Sequence, residues 1–116
     1  MKTKAIKVGD PENYENFVNA VIHEEAFDRL ARVIEKAQSD PTLELLAGGK
    51  ASKEEGYFVQ PTIYQTMDPQ HELMKRELFG PIALVYVFPD AEWLQMLKTI
   101  DTTTSYGLTG SVFARD

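Results

Sequence analysis

MKRELFGPIALVYVF, residues 74–88, has three parts governed by different physics. Met74 to Leu78 carries charges of both signs and is long enough for one helical turn. Phe79-Gly80-Pro81 interrupts it, because Gly permits backbone angles that other residues resist, while Pro fixes φ and removes a donor. Ile82 to Phe88 is then an unbroken apolar run rich in β-branched and aromatic residues. Apolar side chains on both faces predict a central strand covered on both sides, as in the sheet of an α/β protein. Glu77 and Phe79 stand at the mouth of that strand, where ligand sites are often built.

Downstream, Pro89-Asp90 is a helix-start signal, and Trp93, Met96, Leu97 and Ile100 recur at i, i+3, i+4, i+7. That spacing predicts an amphipathic helix over 90–101, ended by Thr102 to Ser105, whose side chains compete for backbone hydrogen bonds. Gly107 turns the chain into a last strand, Leu108 to Ala114. A strand–helix–strand unit of this kind predicts a parallel pair with a right-handed crossover.

Upstream, Asp68-Pro69 suits a helix start, with Asp68 as N-cap and the helix running to about Arg76. Tyr57 to Tyr64 has strand composition, but Pro61 cannot donate to a ladder and predicts an edge, a bulge or an extended segment. Lys50 to Gly56 reads as a solvated loop. Leu43 to Ala47 is a short strand closed by Gly48-Gly49. Phe27, Leu30, Ala31 and Ile34 predict a helix from Glu24 to Gln38, stopped by Ser39-Asp40-Pro41. Met1 to Asn19 reads as an extended entry with a turn at Gly9-Asp10-Pro11. The order predicts an α/β fold: a mixed, mostly parallel sheet covered by helices.

With 116 residues, the chain can form one compact domain but not two. Its 12 basic residues against 18 acidic ones give a net charge of −6, which disfavours nucleic acid and anionic membrane as partners. It has no cysteine, so it offers no disulfide, thiolate metal site or cysteine nucleophile. No apolar run approaches the roughly 20 residues that span a bilayer, and MKTKAIKVGDP lacks the apolar core of a signal peptide. These features predict a soluble, cytoplasmic domain.

The chemistry visible in the residues alone is sparse. There is no GxGxxG and no Walker loop, and Gly48-Gly49-Lys50 reads as a turn. His23 and His71 are far apart and have no metal-ligand spacing around them, so no metal site is predicted. Ser105 and Ser111 lack a nearby base, and Glu54-Glu55 would point apart. Glu77 and Phe79 remain, with two readings open: a ligand site, or Glu77 paired with Lys75 or Arg76 on the surface while Phe79 fills core.

At Glu77-Leu78-Phe79-Gly80-Pro81 the sequence resembles the aldehyde dehydrogenase superfamily, which carries Glu-x-Phe-Gly-Pro before an apolar strand of its catalytic domain. VGDP (8–11), LAGG (46–49), GYFVQPTI (56–63) and YGLTGSVF (106–113) fall in the family's order and at near-family spacing. FVNAVIHEEAF (17–27) and DTTTSYGLTG (101–110) look most like the branch that oxidises 1-pyrroline-5-carboxylate, as glutamate γ-semialdehyde, to glutamate in proline breakdown. The resemblance implies NAD as cofactor, with Glu77 on the ribose hydroxyls beside the nicotinamide and Phe79 packed against that ring. An ionised carboxylate, with two acceptor oxygens, suits a vicinal diol.

The same resemblance implies that much is elsewhere. The family's cysteine nucleophile, general-base glutamate, oxyanion-stabilising asparagine and dinucleotide-binding domain have no counterpart in residues 1–116, so no catalytic residue is assigned. The chain is therefore expected to be a partial catalytic domain, inactive alone, from an enzyme acting on a small-molecule aldehyde. Location in the mitochondrial matrix is implied for a eukaryote. Apolar surface and open strand edges predict a homo-oligomer. Two alternatives stay open: another aldehyde dehydrogenase branch, or a standalone non-catalytic binding module of the same fold.

Overall fold

A computed structural model describes residues 2–113. The best-packed element is α1 (Glu24–Gln38), with the bounds that the periodicity predicts. His23 caps it: its Nδ1 accepts from the Ala26 N–H at 3.1 Å. Glu24 and Glu25 lie in the first turn and Lys36 in the last, each complementing the helix dipole. Its apolar stripe of Phe27, Leu30, Val33, Ile34 and Ala37 is buried, and with Val59 and Leu78 most of it forms the core. After Ser39, Asp40 Oδ1 accepts from both the Thr42 N–H (2.8 Å) and the Thr42 hydroxyl (2.6 Å), which turns the chain into β1 (Leu43–Ala47).

β1 runs antiparallel to β4 (Thr62–Thr66), and β4 runs parallel to β5 (Ile82–Tyr86), giving a mixed three-stranded sheet in the order β1-β4-β5. A separate hairpin pairs β2 (Ala51–Ser52) with β3 (Phe58–Val59). The turn after β1 needs glycine. Gly48 has φ +76°, and a Cβ there would lie 2.2 Å from the Pro61 carbonyl oxygen. The adjacent Gly49 N–H donates to the buried Thr62 hydroxyl (2.9 Å), which in turn donates to the Gln60 carbonyl (2.7 Å). Thr62, Tyr64 and Thr66 all point to the buried face of β4. The Tyr64 hydroxyl finds no hydrogen-bond partner among the described residues, and burial pushes its pKa up.

Beyond β4 come α2 (Glu72–Lys75), β5, a 3-10 turn at Asp90–Glu92 and α3 (Trp93–Thr103). The Phe88 and Trp93 rings stack at 6.3 Å between centroids, linking the end of β5 to α3.

Several expectations are corrected. The run Ile82 to Phe88 is not a central strand covered on both sides. It forms β5, which stops at Tyr86 and lies at the sheet edge, alternating half-buried and exposed. Only β4 pairs with it among the described residues, and Ala83 and Val85 on its other face are exposed. β4 takes the middle place instead. It begins one residue after Pro61, so the missing proline N–H costs no ladder bond. Tyr57 to Tyr64 thus splits into β3 and β4, and the predicted loop at Lys50 to Gly56 gives Ala51 and Ser52 to the hairpin.

Asp68 does not cap a helix. Its Oδ1 accepts from the Gln70 N–H in a local turn, and α2 starts four residues later, capped by His71. The predicted strand at Leu108 to Ala114 is not formed over residues 108–113; Leu108 is 98% and Phe113 94% exposed. Ala114 lies outside the described residues. The open edge of β5 stays unpaired by residues 108–113. The parallel pair occurs one unit earlier, as β4–α2–β5. The entry is less extended than expected: Val8 bridges Val18, and Asp10 and Asn13 side chains accept from backbone N–H groups two residues on.

Candidate functional site

The loop between α2 and β5 is fastened at three points. Leu78 is buried in the core. Gly80 lies so close to Leu30 that a Cβ would sit 2.5 Å from both Leu30 Cδ atoms. The Pro81 carbonyl accepts from the Thr62 N–H at 2.8 Å, and the Gly80 carbonyl accepts from the Ile82 N–H at 2.8 Å. Glycine allows the close approach, proline stiffens the turn, and the following strand carries the loop.

Held this way, the loop turns Phe79 outward. Phe79 has φ +49°, the single positive φ at a non-glycine residue among the described residues, and its ring is 82% exposed. A bulky residue in the left-handed region costs roughly 1–3 kcal/mol, and such outliers cluster at ligand clamps. Glu77 offsets part of that cost, since its Oε1 accepts from the Phe79 N–H at 3.1 Å. Phe79 is not in the core, and Glu77 makes no ion pair among the described residues. The outcome is an exposed carboxylate, with one oxygen on its own loop, beside an exposed aromatic ring.

A cavity of about 190 Å3 opens beside them, lined by Glu77, Phe79, Lys75, Thr104 and Tyr106 among others. It is smaller than the roughly 300–1,000 Å3 of a complete small-molecule site and suits one ring rather than a dinucleotide. Thr104 and Tyr106 were not singled out by sequence reasoning, which treated Thr102 to Ser105 only as a helix terminator. The Thr104 hydroxyl donates to the Lys75 carbonyl (3.3 Å) and accepts from the Tyr106 N–H (3.2 Å), which draws the end of α3 onto α2. The signal that could have found them was the DTTTSYGLTG stretch, which holds both.

The two histidines have structural duties, His23 capping α1 and His71 capping α2. His71 Nδ1 accepts from the Leu73 N–H (3.1 Å), so the ring proton sits on Nε2 and donates to Asp40 Oδ2 (3.2 Å). The Thr42 hydroxyl and N–H, with His71, pull the Asp40 pKa down to about 2. No group of three or more His, Asp or Glu is placed to hold a metal ion among the described residues.

Comparison with known proteins adds to this geometry. The mitochondrial Delta-1-pyrroline-5-carboxylate dehydrogenase of Emericella nidulans is 51% identical over 118 residues, covering 99% of this chain and 21% of its own length. The Homo sapiens enzyme of the same name is 50% identical over 112 residues, covering 96% and 20%. Among solved structures, the Delta-pyrroline-5-carboxylate dehydrogenase from Mycobacterium tuberculosis bound with NAD superposes with a TM-score of 0.88 at 36% identity. That match covers 99% of this chain and 20% of the other. The chain thus spans about a fifth of the length of the relatives it matches. The model of the aldehyde dehydrogenase family matches residues 1–116, and with a loop built as its Glu-x-Phe-Gly-Pro stretch demands, this chain belongs to that family.

Proposed function

We propose that this chain is a part, residues 1–116, of the catalytic domain of an NAD-dependent dehydrogenase that oxidises glutamate γ-semialdehyde to glutamate in proline breakdown. The observation that carries the reading is the match, at about half identity over nearly the whole chain, to relatives named for 1-pyrroline-5-carboxylate. The Glu77–Phe79 loop supports it chemically. When bound, NAD supplies the acceptor for the hydride that leaves the substrate. Glu77 would accept hydrogen bonds from the ribose hydroxyls with the oxygen not used on its own loop. Phe79 would offer its exposed ring to the nicotinamide, and the Gly80-Pro81 turn keeps both from moving.

In this reading the nucleophile, the general base and the dinucleotide-binding domain belong to other parts of the protein. The 116 residues contain no cysteine and by themselves turn over no aldehyde. The relatives' mitochondrial names support the matrix as location in a eukaryote, and the cytoplasm otherwise.

The test is Glu77→Gln in the protein at its natural length. Gln keeps an oxygen for the Phe79 N–H, so the loop and the unfolding midpoint should be unchanged. A charge-assisted hydrogen bond of roughly 1.5–3 kcal/mol is at stake, so NAD use or hydride transfer should fall about tenfold or more. Wild-type kinetics would leave Glu77 with no duty beyond its own loop.

Association belongs to the same reading. Trp93, Leu94, Leu97, Ile100, Val87 and Leu108 are all exposed, and such a surface is generally covered by a neighbour. A homo-oligomer is expected, visible as sedimentation faster than a monomer. A clean monomer that binds no apolar dye would refute it.

A further inference from the structure

A second cavity, of about 270 Å3, lies between α1 and α2; it shares Leu73 and Arg76 with the cavity beside Glu77 and Phe79, but neither Glu77 nor Phe79 lines it. Arg29, Arg32 and Lys36 reach it from α1 and Arg76 from the end of α2; Asp40 and Glu72 are its carboxylates. Both acids are already engaged. Glu72 Oε1 accepts from Lys36 at 2.7 Å, which lowers its pKa, and Asp40 accepts from Thr42 and His71.

The three guanidinium groups, by contrast, have no carboxylate within 4.0 Å among the described residues. Arg29 Nε is sealed from solvent and makes no hydrogen bond. A buried donor without a partner carries an uncompensated desolvation cost. Arg29 and Arg32 are also like charges three apart on one helix, which repel. In a chain of net charge −6, four cations against two carboxylates is a local reversal of sign.

We propose that this pocket binds a phosphate group, carried by inorganic phosphate or by a phosphate monoester, next to the Glu77–Phe79 cavity and without using Glu77 or Phe79. The surplus of two positive charges matches the roughly −1.5 to −2 of a phosphate near neutral pH, where a carboxylate would bring only one. Three planar forks need several acceptor oxygens around one centre, which a tetrahedral phosphate presents.

The test titrates the protein at its natural length, saturated with NAD, with inorganic phosphate and, separately, glycerol 3-phosphate, at constant ionic strength, by calorimetry. Saturable binding at millimolar concentration or below is expected from at least one probe. Equal binding of the two assigns the site to phosphate itself, and tighter binding of glycerol 3-phosphate assigns it to a monoester. Arg32→Gln and Arg76→Gln, both at exposed positions, should each weaken binding about tenfold or more. Arg32→Lys should lose less, keeping charge but not the fork. Glu77→Gln should leave phosphate binding unchanged, which separates this site from the dehydrogenase reading. No saturable binding of either probe, undiminished binding in the Gln variants, loss of binding in Glu77→Gln, or acetate binding as tightly as phosphate would each overturn the proposal.

Discussion

The two halves of this chain are similarly apolar in sequence and unequal in packing. From α1 to β4, apolar residues find each other: Leu30, Val59 and Tyr64 have no exposed surface, and Phe27, Val33 and Ile34 have little. From β5 onward, Leu78's neighbours run out. Met96 is the one buried residue of α3, while Leu94 is 74% and Ile100 61% exposed. The difference does not lie in hydrophobicity. α1 has a sheet and a hairpin on its apolar face, and α3 has neither. Burial is a property of pairs of surfaces, and a sequence window shows only one surface of each pair.

The sharpest way to break that contrast is to truncate one side chain in each half. Leu30→Ala should destabilise by about 2–5 kcal/mol, because it removes a fully enclosed side chain and leaves a cavity. Leu94→Ala in the same chain should fall within about 0.5 kcal/mol. Denaturant midpoints measure both. Similar losses would mean that α3 is packed in solution, by a second copy or otherwise, and the contrast would vanish. A smaller effect tests the seam between the halves. In Gly80→Ala the added methyl would meet Leu30 at 2.5 Å, so overpacking of roughly 1–3 kcal/mol is expected. Because the same loop presents Phe79, NAD use should fall too. A neutral Gly80→Ala would show that the loop is not held against α1.

How far each feature was legible follows from the same logic. α1 and β1 were read to the residue because their signals are local: a 3.6-residue stripe, a stop at Ser39-Asp40-Pro41, and a glycine pair after Ala47. The place of β5 was misread because two-sided apolarity reports what a strand needs, not what it is given. The middle place of β4 was hidden by Pro61, which lies just outside the ladder. The loop's importance was legible in Glu77 and Phe79 as residue types. Its left-handed Phe79 and the Glu77 hydrogen bond are local geometry that residue types alone do not specify, and the approach of Gly80 to Leu30 depends on a contact 50 residues away. The arginine pocket was invisible for a related reason: Arg76 joins Arg29 and Arg32 only through the fold.

The smallest expected effect concerns the polar clip across the seam. Asp40, at the end of α1, accepts from Thr42 and from His71, the cap of α2, and its pKa lies near 2 instead of its ordinary 3.8. A carboxylate whose folded value is depressed stabilises the fold above its unfolded value. That contribution is lost as the pH falls through the folded value. Asp40→Asn removes the charge and the titration together. The difference in unfolding midpoint between wild type and Asp40→Asn should therefore be constant above about pH 4, shrink between about 4 and 2, and be smallest below 2. The size should be modest, since a hydrogen-bonded carboxylate that keeps contact with solvent is worth little. Amide exchange locates the effect. If the clip ties the open half to the packed one, the amides of Leu73 and Met74 at the start of α2 should lose protection in the variant while those of α1 keep theirs. Loss spread evenly through α1, β1 and β4 would instead place Asp40 within the packed half's own cooperative unit, and the seam would have to be drawn beyond α2.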